Sequence, residues 1–264
     1  MKIGFIGLGN MASAIIGGIL SKGMAKPEDL TGFDKLETAR SRAEEKFGIK
    51  TALNNSQVVT ESDVLFLAVK PQFFPEVLGE IKDLVKRETL VVSIAAGKTV
   101  AYLEEGLSSG HKIIRCMPNT PALVGEGCTG VCCNGQVTEE ELEQVLKLLN
   151  SFGKAYQVSE SMMDAVVAVS GSSPAYVFML IEAMADGAVK AGMPRDKAYE
   201  FAAQAVLGSA KMVLETGKHP AELKDMVCSP AGTTIEAVRV LEEKGFRAAV
   251  IDAMDACVER NRQL

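Results

Sequence analysis

A glycine-rich turn near the start of the chain lies between an apolar strand pattern and an apolar helix pattern. Residues 2–6 have the pattern of a buried strand, and residues 7–12 have the sequence GLGNMA, a GxGxxA turn. The first glycine of such a turn makes the bend, the second lets backbone N–H groups approach a pyrophosphate, and the last small residue lets helix and strand pack closely. The following helix would direct its N-terminus at the anion. We therefore expect a dinucleotide site rather than a purely structural turn, with these contacts: Gly7, Leu8, Gly9, Asn10, Met11 and Ala12.

An acidic residue ends the second strand pattern. Asp34 stands 22 residues after Ala12, where a Rossmann-type domain places the acid that binds the cofactor ribose. Such an acid accepts a hydrogen bond from the ribose 2′-hydroxyl and repels a 2′-phosphate. Lys35, Arg40 and Arg42 follow and could attract that phosphate instead, although each could equally be a solvated surface charge. From these residues the choice between NAD and NADP stays open.

Short apolar segments alternate with helix patterns through the first part of the chain. The predicted strands cover residues 2–6, 30–34, 64–68, 90–94 and 112–116. Strands separated by helices pair in parallel, and a run such as VLFLA at 64–68 lacks the polar alternation of a sheet with one wet face. After about residue 156 only helix patterns follow. We therefore predict an α/β fold, with an N-terminal Rossmann-type doubly wound sheet over residues 1–158 and an all-α domain over residues 159–264.

The C-terminal helix patterns are too apolar to face water. Between residues 175 and 191 the charged residues are Glu182, Asp186 and Lys190, which are spaced by four and share one narrow stripe. Residues 201–214 are rich in small residues that let helices approach closely. Because a domain of about 100 residues can wrap such a helix only in part, we expect a second copy to cover it. The all-α domain is thus predicted to be a dimerisation domain.

Charge and composition disfavour several other classes. The net charge of −6 and pI near 5.2 argue against a nucleic-acid or anionic-membrane partner, because both require a positive face. Residues 3–21 carry no charge and resemble a signal peptide or membrane span, but glycines break the run into strand, turn and helix. The six cysteines and two histidines lack zinc-site spacing. We expect no metal, reduced thiols and a cytoplasmic protein.

Two loops at the predicted carboxyl edge of the sheet carry further candidates. Residues 68–72 have the sequence AVKPQ and follow the third predicted strand. Ligands bind at this edge in doubly wound sheets, so Lys70 is either a ligand contact or a solvated turn residue. Residues 115–121, RCMPNTP, form a rigid double-proline loop at the same edge.

The segment VCSPAGTTIE at residues 227–236 predicts a helix start. Thr233 and Glu236 have capping-box spacing. With hydroxyls from Ser229, Thr233 and Thr234 and an accessible N–H at Gly232, this helix start could hold a small carboxylate. It could also be an ordinary capped helix, since capping boxes are widespread.

Six motifs occur along the chain in a fixed order. They are GFIGLGNMA at 4–12, LAVKPQ at 67–72, SIAAG at 93–97, RCMPNTPALVGEG at 115–127, AVSGSSPAYVF at 168–178 and SPAGTTIEAV at 229–238. Together they resemble the pyrroline-5-carboxylate reductase family over essentially the whole chain. Ser173 and Ala231 depart from the family pattern, which has glycine at both places, so local backbone geometry is in question there.

The resemblance implies NAD(P)H-dependent reduction of 1-pyrroline-5-carboxylate to L-proline, the last step of proline biosynthesis, by hydride transfer to the imine carbon. It places these residues at the nicotinamide and its ribose: Ala68, Val69, Lys70, Pro71 and Ala95. Asn55 matches a family position close to the adenosine ribose and its 2′-phosphate, which favours NADP(H) with NAD(H) as an alternative.

The same resemblance assigns the substrate residues. Ser229, Gly232 and Thr233 would hold the substrate carboxylate. Thr234 would be the catalytic residue, with its hydroxyl bonded to the ring nitrogen. Family members form interlocked homodimers, in some cases within larger rings, so self-association is expected.

Two other functions remain as alternatives at this point. A β-hydroxyacid dehydrogenase shares the GFIGLGNM opening but needs a lysine as general base, and Lys190 lies near the end of its helix pattern. A noncatalytic NAD(P)-sensing regulator could share the fold, although the hydroxyl groups around Ser229 and Thr234 argue for a substrate site.

Overall fold

A computed structural model describes residues 1–108 and 110–263. Its strands are β1 Ile3–Ile6, β2 Leu30–Phe33, β3 Lys50–Thr51, β4 Val64–Leu67, β5 Leu90–Ser93, β6 Lys112–Met117, β7 Gly127–Cys133 and β8 Gly153–Gln157. Its α-helices are α1 Asn10–Ser21, α2 Glu37–Phe47, α3 Asn55–Glu61, α4 Phe74–Ile81, α5 Val100–Leu107, α6 Glu139–Leu149, α7 Met163–Val166, α8 Ser173–Lys190, α9 Arg195–Thr216, α10 Pro220–Val227, α11 Thr233–Glu243 and α12 Phe246–Asn261. The predicted α/β fold class, a sheet domain followed by helices, is confirmed.

The strands form one sheet in the order β3-β2-β1-β4-β5-β6-β7-β8. Neighbours pair in parallel except β6 and β7, which are antiparallel. The chain winds outward from β1 to β3 and then returns to place β4 on the other side of β1. The order of strands therefore reverses between β1 and β4, which is the place where ligands bind in such sheets.

The sheet is covered on both faces, as its uninterrupted apolar runs require. Phe5 and Phe66 stack with ring centroids 4.9 Å apart and belong to the core cluster on one face. Leu65 and Leu67, the sequence neighbours of Phe66, belong to the cluster on the other face. Successive side chains of a strand point to opposite faces, so a strand buried on both sides shows no polar alternation.

Three strands were absent from the sequence prediction. β3 contains two residues, β7 has the sequence GCTGVCC, and β8 is a largely exposed edge strand. Glycine is depleted in strands, and two residues show no period, so neither β3 nor β7 has a clear strand pattern. All three belong to the sheet only through their pairing with distant segments.

The chain forms two compact units, one of Met1–Ser172 with the segment from Cys257 onward, and one of Ser173–Ala256. The first unit thus includes residues 159–172, and the functional division at 158/159 stays a prediction. In the second unit α8 and α9 pack through a small cluster that contains Ala185, Ala198 and Ala202. These small side chains let the two helices approach closely.

Large apolar side chains of the second unit remain exposed in the single chain. Met179 is 68% exposed and Leu214 is 79% exposed. By length and composition the described stretch Glu160–Lys190 is also apolar enough to cross a membrane, and little of it is buried. This uncovered apolar surface supports the prediction that a second copy of the chain covers α8.

Candidate functional site

The turn after β1 requires glycine at its first position. Gly7 has a φ of 95°, in the left-handed region that favours glycine. Its N–H donates to the Phe33 carbonyl at 2.8 Å. A β-carbon on Gly7 would lie 2.7 Å from the carbonyl oxygen of Ala68. The turn therefore fits tightly between the carboxyl ends of β2 and β4.

The second glycine leaves space above the turn. Gly9 is the exposed N-cap residue of α1, and a β-carbon on it would meet no atom within 4 Å. Asn10 and Met11 begin α1, and the first N–H groups of a helix have no acceptor within it. Leu8 and Ala12 are buried and hold the turn against the sheet. The backbone donors at this end of α1 thus border an opening that suits a pyrophosphate.

Asp34 ties the glycine turn to the segment after β2. One carboxylate oxygen accepts a hydrogen bond from the Leu8 N–H at 2.9 Å. The other accepts from the Leu36 N–H, also at 2.9 Å. The side chain therefore has a structural role in addition to the ribose contact predicted for it.

The predicted nicotinamide residues lie at the carboxyl ends of β4 and β5, next to β1 in the sheet order. Ala68 continues the pairing of β4, because its N–H donates to the Ile6 carbonyl at 2.8 Å. Val69 is partly buried, Lys70 is exposed, and Pro71 starts a short 3₁₀ turn. Ala95 is buried just after β5. The structure thus brings the glycine turn and these residues to one edge of the sheet.

Asn55 is buried at the start of α3. Its Nδ2 donates to Glu80 of α4 at 2.7 Å. Its Oδ1 is also buried and has no partner among the described residues. A buried acceptor without a donor costs about 1–3 kcal/mol, which a ligand donor could recover.

Asn119 shows why the double-proline loop is rigid. Its Oδ1 accepts from the Cys128 N–H at 2.8 Å, and its Nδ2 donates to the Ser170 carbonyl at 3.0 Å. Ser170 lies in a π-helical turn, Val167–Gly171. One amide side chain thus joins two of the sequence motifs, which the sequence alone did not indicate.

An ion pair between a buried arginine and a partly exposed glutamate joins β6 to the segment before α7. Arg115 of β6 is 5% exposed and donates to Glu160 at 2.9 Å. The same carboxylate oxygen accepts from the Val100 N–H at 2.7 Å, at the start of α5. Glu160 therefore fixes the segment before α7 to two elements of the sheet unit. Arg115 and Glu160 are 45 residues apart in the chain, so no local sequence pattern predicts their contact.

The helix start in the second unit differs from the predicted capping box. Gly232 is the N-cap residue of α11, and no side chain caps it. Thr233 is therefore the first helical residue, and Glu236 pairs with Arg239. The capping-box prediction is wrong because the helix begins at Thr233, one residue earlier than a Thr233 cap requires.

The residues before α11 form a tight turn. The Gly232 N–H donates to the Ser229 carbonyl at 3.0 Å. Ala231, between them in the chain, has a φ of 56°, a conformation that costs an alanine roughly 1–2 kcal/mol. Since no side chain caps α11, the hydroxyls of Thr233 and Thr234 are not used to start the helix. Ser229 and Thr233 are exposed and Thr234 is half-buried.

The cysteines are free thiols, as the sequence led us to expect. Burial raises the pKa of the Cys132 thiol to about 11, and it raises the pKa of Cys116 further. A thiol with a raised pKa contains little nucleophilic thiolate at neutral pH. These two cysteines are therefore packing residues of β6 and β7.

The fold and the glycine turn define a Rossmann-type protein with a site suited to a dinucleotide. Comparison with known proteins narrows this class. Residues 160–264 match the family model for pyrroline-5-carboxylate reductase dimerisation. Residues 2–97 match a model for NADP oxidoreductases that are coenzyme F420-dependent.

Relatives of known name match over the full chain. The pyrroline-5-carboxylate reductase of Escherichia coli is 55% identical, with 100% of this chain and 98% of the relative covered. The structure of the Coxiella burnetii reductase superposes with a TM-score of 0.92 at 36% identity, covering 99% of this chain and 97% of that one. The Plasmodium falciparum reductase, solved with NADP bound, gives a TM-score of 0.90 at 34% identity, covering 100% and 97%.

The chain belongs to the pyrroline-5-carboxylate reductase family. The resemblance inferred from its six motifs is confirmed. The chain is therefore an oxidoreductase that uses NAD(P)H.

Proposed function

We propose that this chain reduces 1-pyrroline-5-carboxylate to L-proline with NAD(P)H. The observation that carries the proposal is the 55% identity to the Escherichia coli reductase over the whole chain. Both parts of the chain that the reaction needs, the glycine turn and the hydroxyl-bearing helix start, lie within that match.

The residues of the first unit fit a nicotinamide dinucleotide. The open space above Gly9 suits the pyrophosphate, and the unpartnered oxygen of Asn55 suits a hydroxyl donor of the adenosine ribose. Ala68, Val69, Lys70, Pro71 and Ala95 would border the nicotinamide. When bound, the reduced cofactor supplies the hydride for the imine carbon. On the resemblance to the family we propose NADPH as the preferred form.

The helix start of the second unit is the proposed substrate site. The carboxylate of the substrate would lie beside Gly232 and accept hydrogen bonds from Ser229 and Thr233, near the positive end of α11. The Gly232 N–H itself already donates to the Ser229 carbonyl. The hydroxyl of Thr234 would bond the ring nitrogen and orient the imine. Since an already protonated imine needs no strong acid, orientation is the main task, and it can lower the barrier by roughly 7–11 kcal/mol.

The chain self-associates through its C-terminal helices, where the dimerisation model matches. We propose a homodimer, in which a second copy covers exposed side chains such as Phe178 and Phe201. A larger ring of such dimers is the alternative assembly that we propose for this surface. We also propose that the chain binds neither nucleic acid nor membrane, because its net charge is −6 and the apolar helices are used for self-association.

The proposed functional domains are residues 1–158 for the cofactor and residues 159–264 for substrate and self-association. This division is supported by the start of the dimerisation model at residue 160. The free thiols and the family's metabolic reaction support a cytoplasmic location. Fractionation of cells that produce the protein would test the location.

Steady-state kinetics with two substrate classes tests the function. NADPH oxidation should depend on added 1-pyrroline-5-carboxylate. Reduction of NADP⁺ by small β-hydroxy acids should stay at background. The opposite pattern would support a β-hydroxyacid dehydrogenase, and no turnover with either substrate would support a noncatalytic sensor.

A further inference from the structure

The carboxylate of Asp34 cannot turn away from the predicted ribose position. Its two oxygens are held by the N–H groups of Leu8 and Leu36, each at 2.9 Å, and these donors belong to different segments. Rotation of the side chain would break both bonds. Each carboxylate oxygen can still accept a further hydrogen bond, because a carboxylate offers about four acceptor positions.

Two of the three basic residues that follow Asp34 have partners in this chain, and the third, Arg42, is exposed on α2. Arg40 donates to the carbonyl oxygen of Asp34 at 2.6 Å, and its guanidinium lies 5.6 Å from the centre of the Phe33 ring. Lys35 pairs with Glu76 at 2.6 Å. That pair is exposed and is worth at most about 1 kcal/mol, so Lys35 can leave it easily. Asp34, in contrast, is fixed by two backbone donors.

The end of the neighbouring strand also presents an acceptor. Asn55 follows β3, which pairs with β2 in the sheet. Because its Nδ2 donates to Glu80, its free oxygen suits a hydroxyl donor better than a phosphate. Asp34 after β2 and Asn55 after β3 are both predicted to contact the adenosine ribose, and both therefore offer it hydrogen-bond acceptors.

We infer that Asp34 is a specificity-determining residue, which disfavours a ribose 2′-phosphate and thereby reduces the preference of this chain for NADPH over NADH. The inference rests on the proposed function, because it assumes that the cofactor lies at the glycine turn. A 2′-hydroxyl can donate to the free acceptor positions of the carboxylate. A 2′-phosphate has no proton to donate and adds negative charge beside a carboxylate that is fixed in place.

Direct binding measurements test this role without turnover. The dissociation constants of NADH and NADPH are measured by fluorescence titration for the wild type, Asp34→Asn and Asp34→Ser. Glu45→Gln, which removes an exposed carboxylate from α2, is the control for net charge. In both Asp34 variants the ratio of the NADH constant to the NADPH constant should rise at least about tenfold, the effect of one nearby charge. In Glu45→Gln it should not change.

Three results would overturn the inference: an unchanged ratio in both Asp34 variants, an equal rise in Glu45→Gln, or loss of both cofactors from both variants. The last result would make Asp34 a structural brace of the turn and nothing more. Failure of the proposed function is distinguished by the wild type alone. If the wild type binds the cofactors but does not reduce 1-pyrroline-5-carboxylate, the proposed reaction is wrong. The ratio of the two dissociation constants then still tests the role of Asp34.

Discussion

The hydroxyl of Ser229 occupies the space that a side chain on Gly232 would need. A β-carbon on Gly232 would lie 2.3 Å from the Ser229 Oγ and 3.1 Å from its carbonyl oxygen. Glycine at residue 232 therefore allows the serine hydroxyl to stay beside the N-terminus of α11. This relationship leads to the first prediction.

Gly232→Ala should displace the Ser229 hydroxyl and weaken substrate binding. Loss of a hydrogen bond to a charged group costs about 1.5–3 kcal/mol, so the KM for 1-pyrroline-5-carboxylate should rise at least about tenfold. The dissociation constant for NADPH should not change. Gly79→Ala is the matched control, because a β-carbon at this α4 position would meet no atom within 4 Å. An unchanged KM in the Gly232 variant would rule out the proposed carboxylate site.

Ala231→Gly should stabilise the protein. Alanine is strained at a φ of 56°, whereas glycine adopts this conformation freely. After the greater flexibility of glycine in the unfolded chain is subtracted, the gain should be roughly 0.5–1 kcal/mol in the free energy of unfolding. Urea unfolding at one fixed protein concentration measures it. Ala237→Gly, within α11, should instead destabilise the protein by about 1 kcal/mol, and a similar loss in Ala231→Gly would show that residue 231 is not strained.

Thr234→Ala should reduce turnover without loss of cofactor binding. The proposed hydroxyl orients the ring nitrogen and does not contact the dinucleotide. We expect kcat/KM for the imine to fall by about tenfold to a hundredfold, as for loss of one orienting hydrogen bond. Titration with NADPH should give the wild-type constant. An equal loss of NADPH affinity would contradict this role of Thr234.

Stability should fall in mild acid because of His111. Burial lowers the pKa of His111, and the positive charge of Arg87 lowers it further. In the unfolded chain His111 has a pKa of about 6.5, so it takes up a proton at a higher pH there than in the folded chain. The wild type should therefore lose stability as the pH falls below about 6.5, down to the lowered folded-state pKa.

His111→Gln provides the reference for that measurement. The variant cannot titrate, so its free energy of unfolding should fall less than that of the wild type between about pH 7.5 and pH 5.5. Carboxylates contribute equally to both curves and cancel in the difference. Parallel curves would show that His111 does not couple folding to pH in this range.

The parts of the fold that the sequence predicted are those in which local pattern and long-range packing agree. Residues 7–12 form the predicted turn. Residue 7 has a positive φ and residue 9 leaves open space, and glycine, which suits both conditions, stands at both positions in the sequence. The five predicted strands are buried on both faces or nearly so, which gives continuous apolar runs. The structure extends or shortens each by one residue.

Other features depend on contacts that no local pattern contains. β7 joins the sheet by antiparallel pairing with β6 although its sequence is rich in glycine and cysteine. The contacts of Asn119 and of Glu160 join residues far apart in the chain. The capping-box spacing at Thr233 was misleading, because the turn from Ser229 sets Gly232 as the N-cap residue.

Transfer of a labelled hydride tests the central claim most directly. The protein is incubated with NADPH that carries deuterium at C4, on either face of the ring in separate reactions, and with unlabelled 1-pyrroline-5-carboxylate. Mass spectrometry of the product should show L-proline with a single deuterium at C5 from one of the two labelled cofactors. Proline without deuterium in both reactions, or no proline at all, would contradict the proposed reduction.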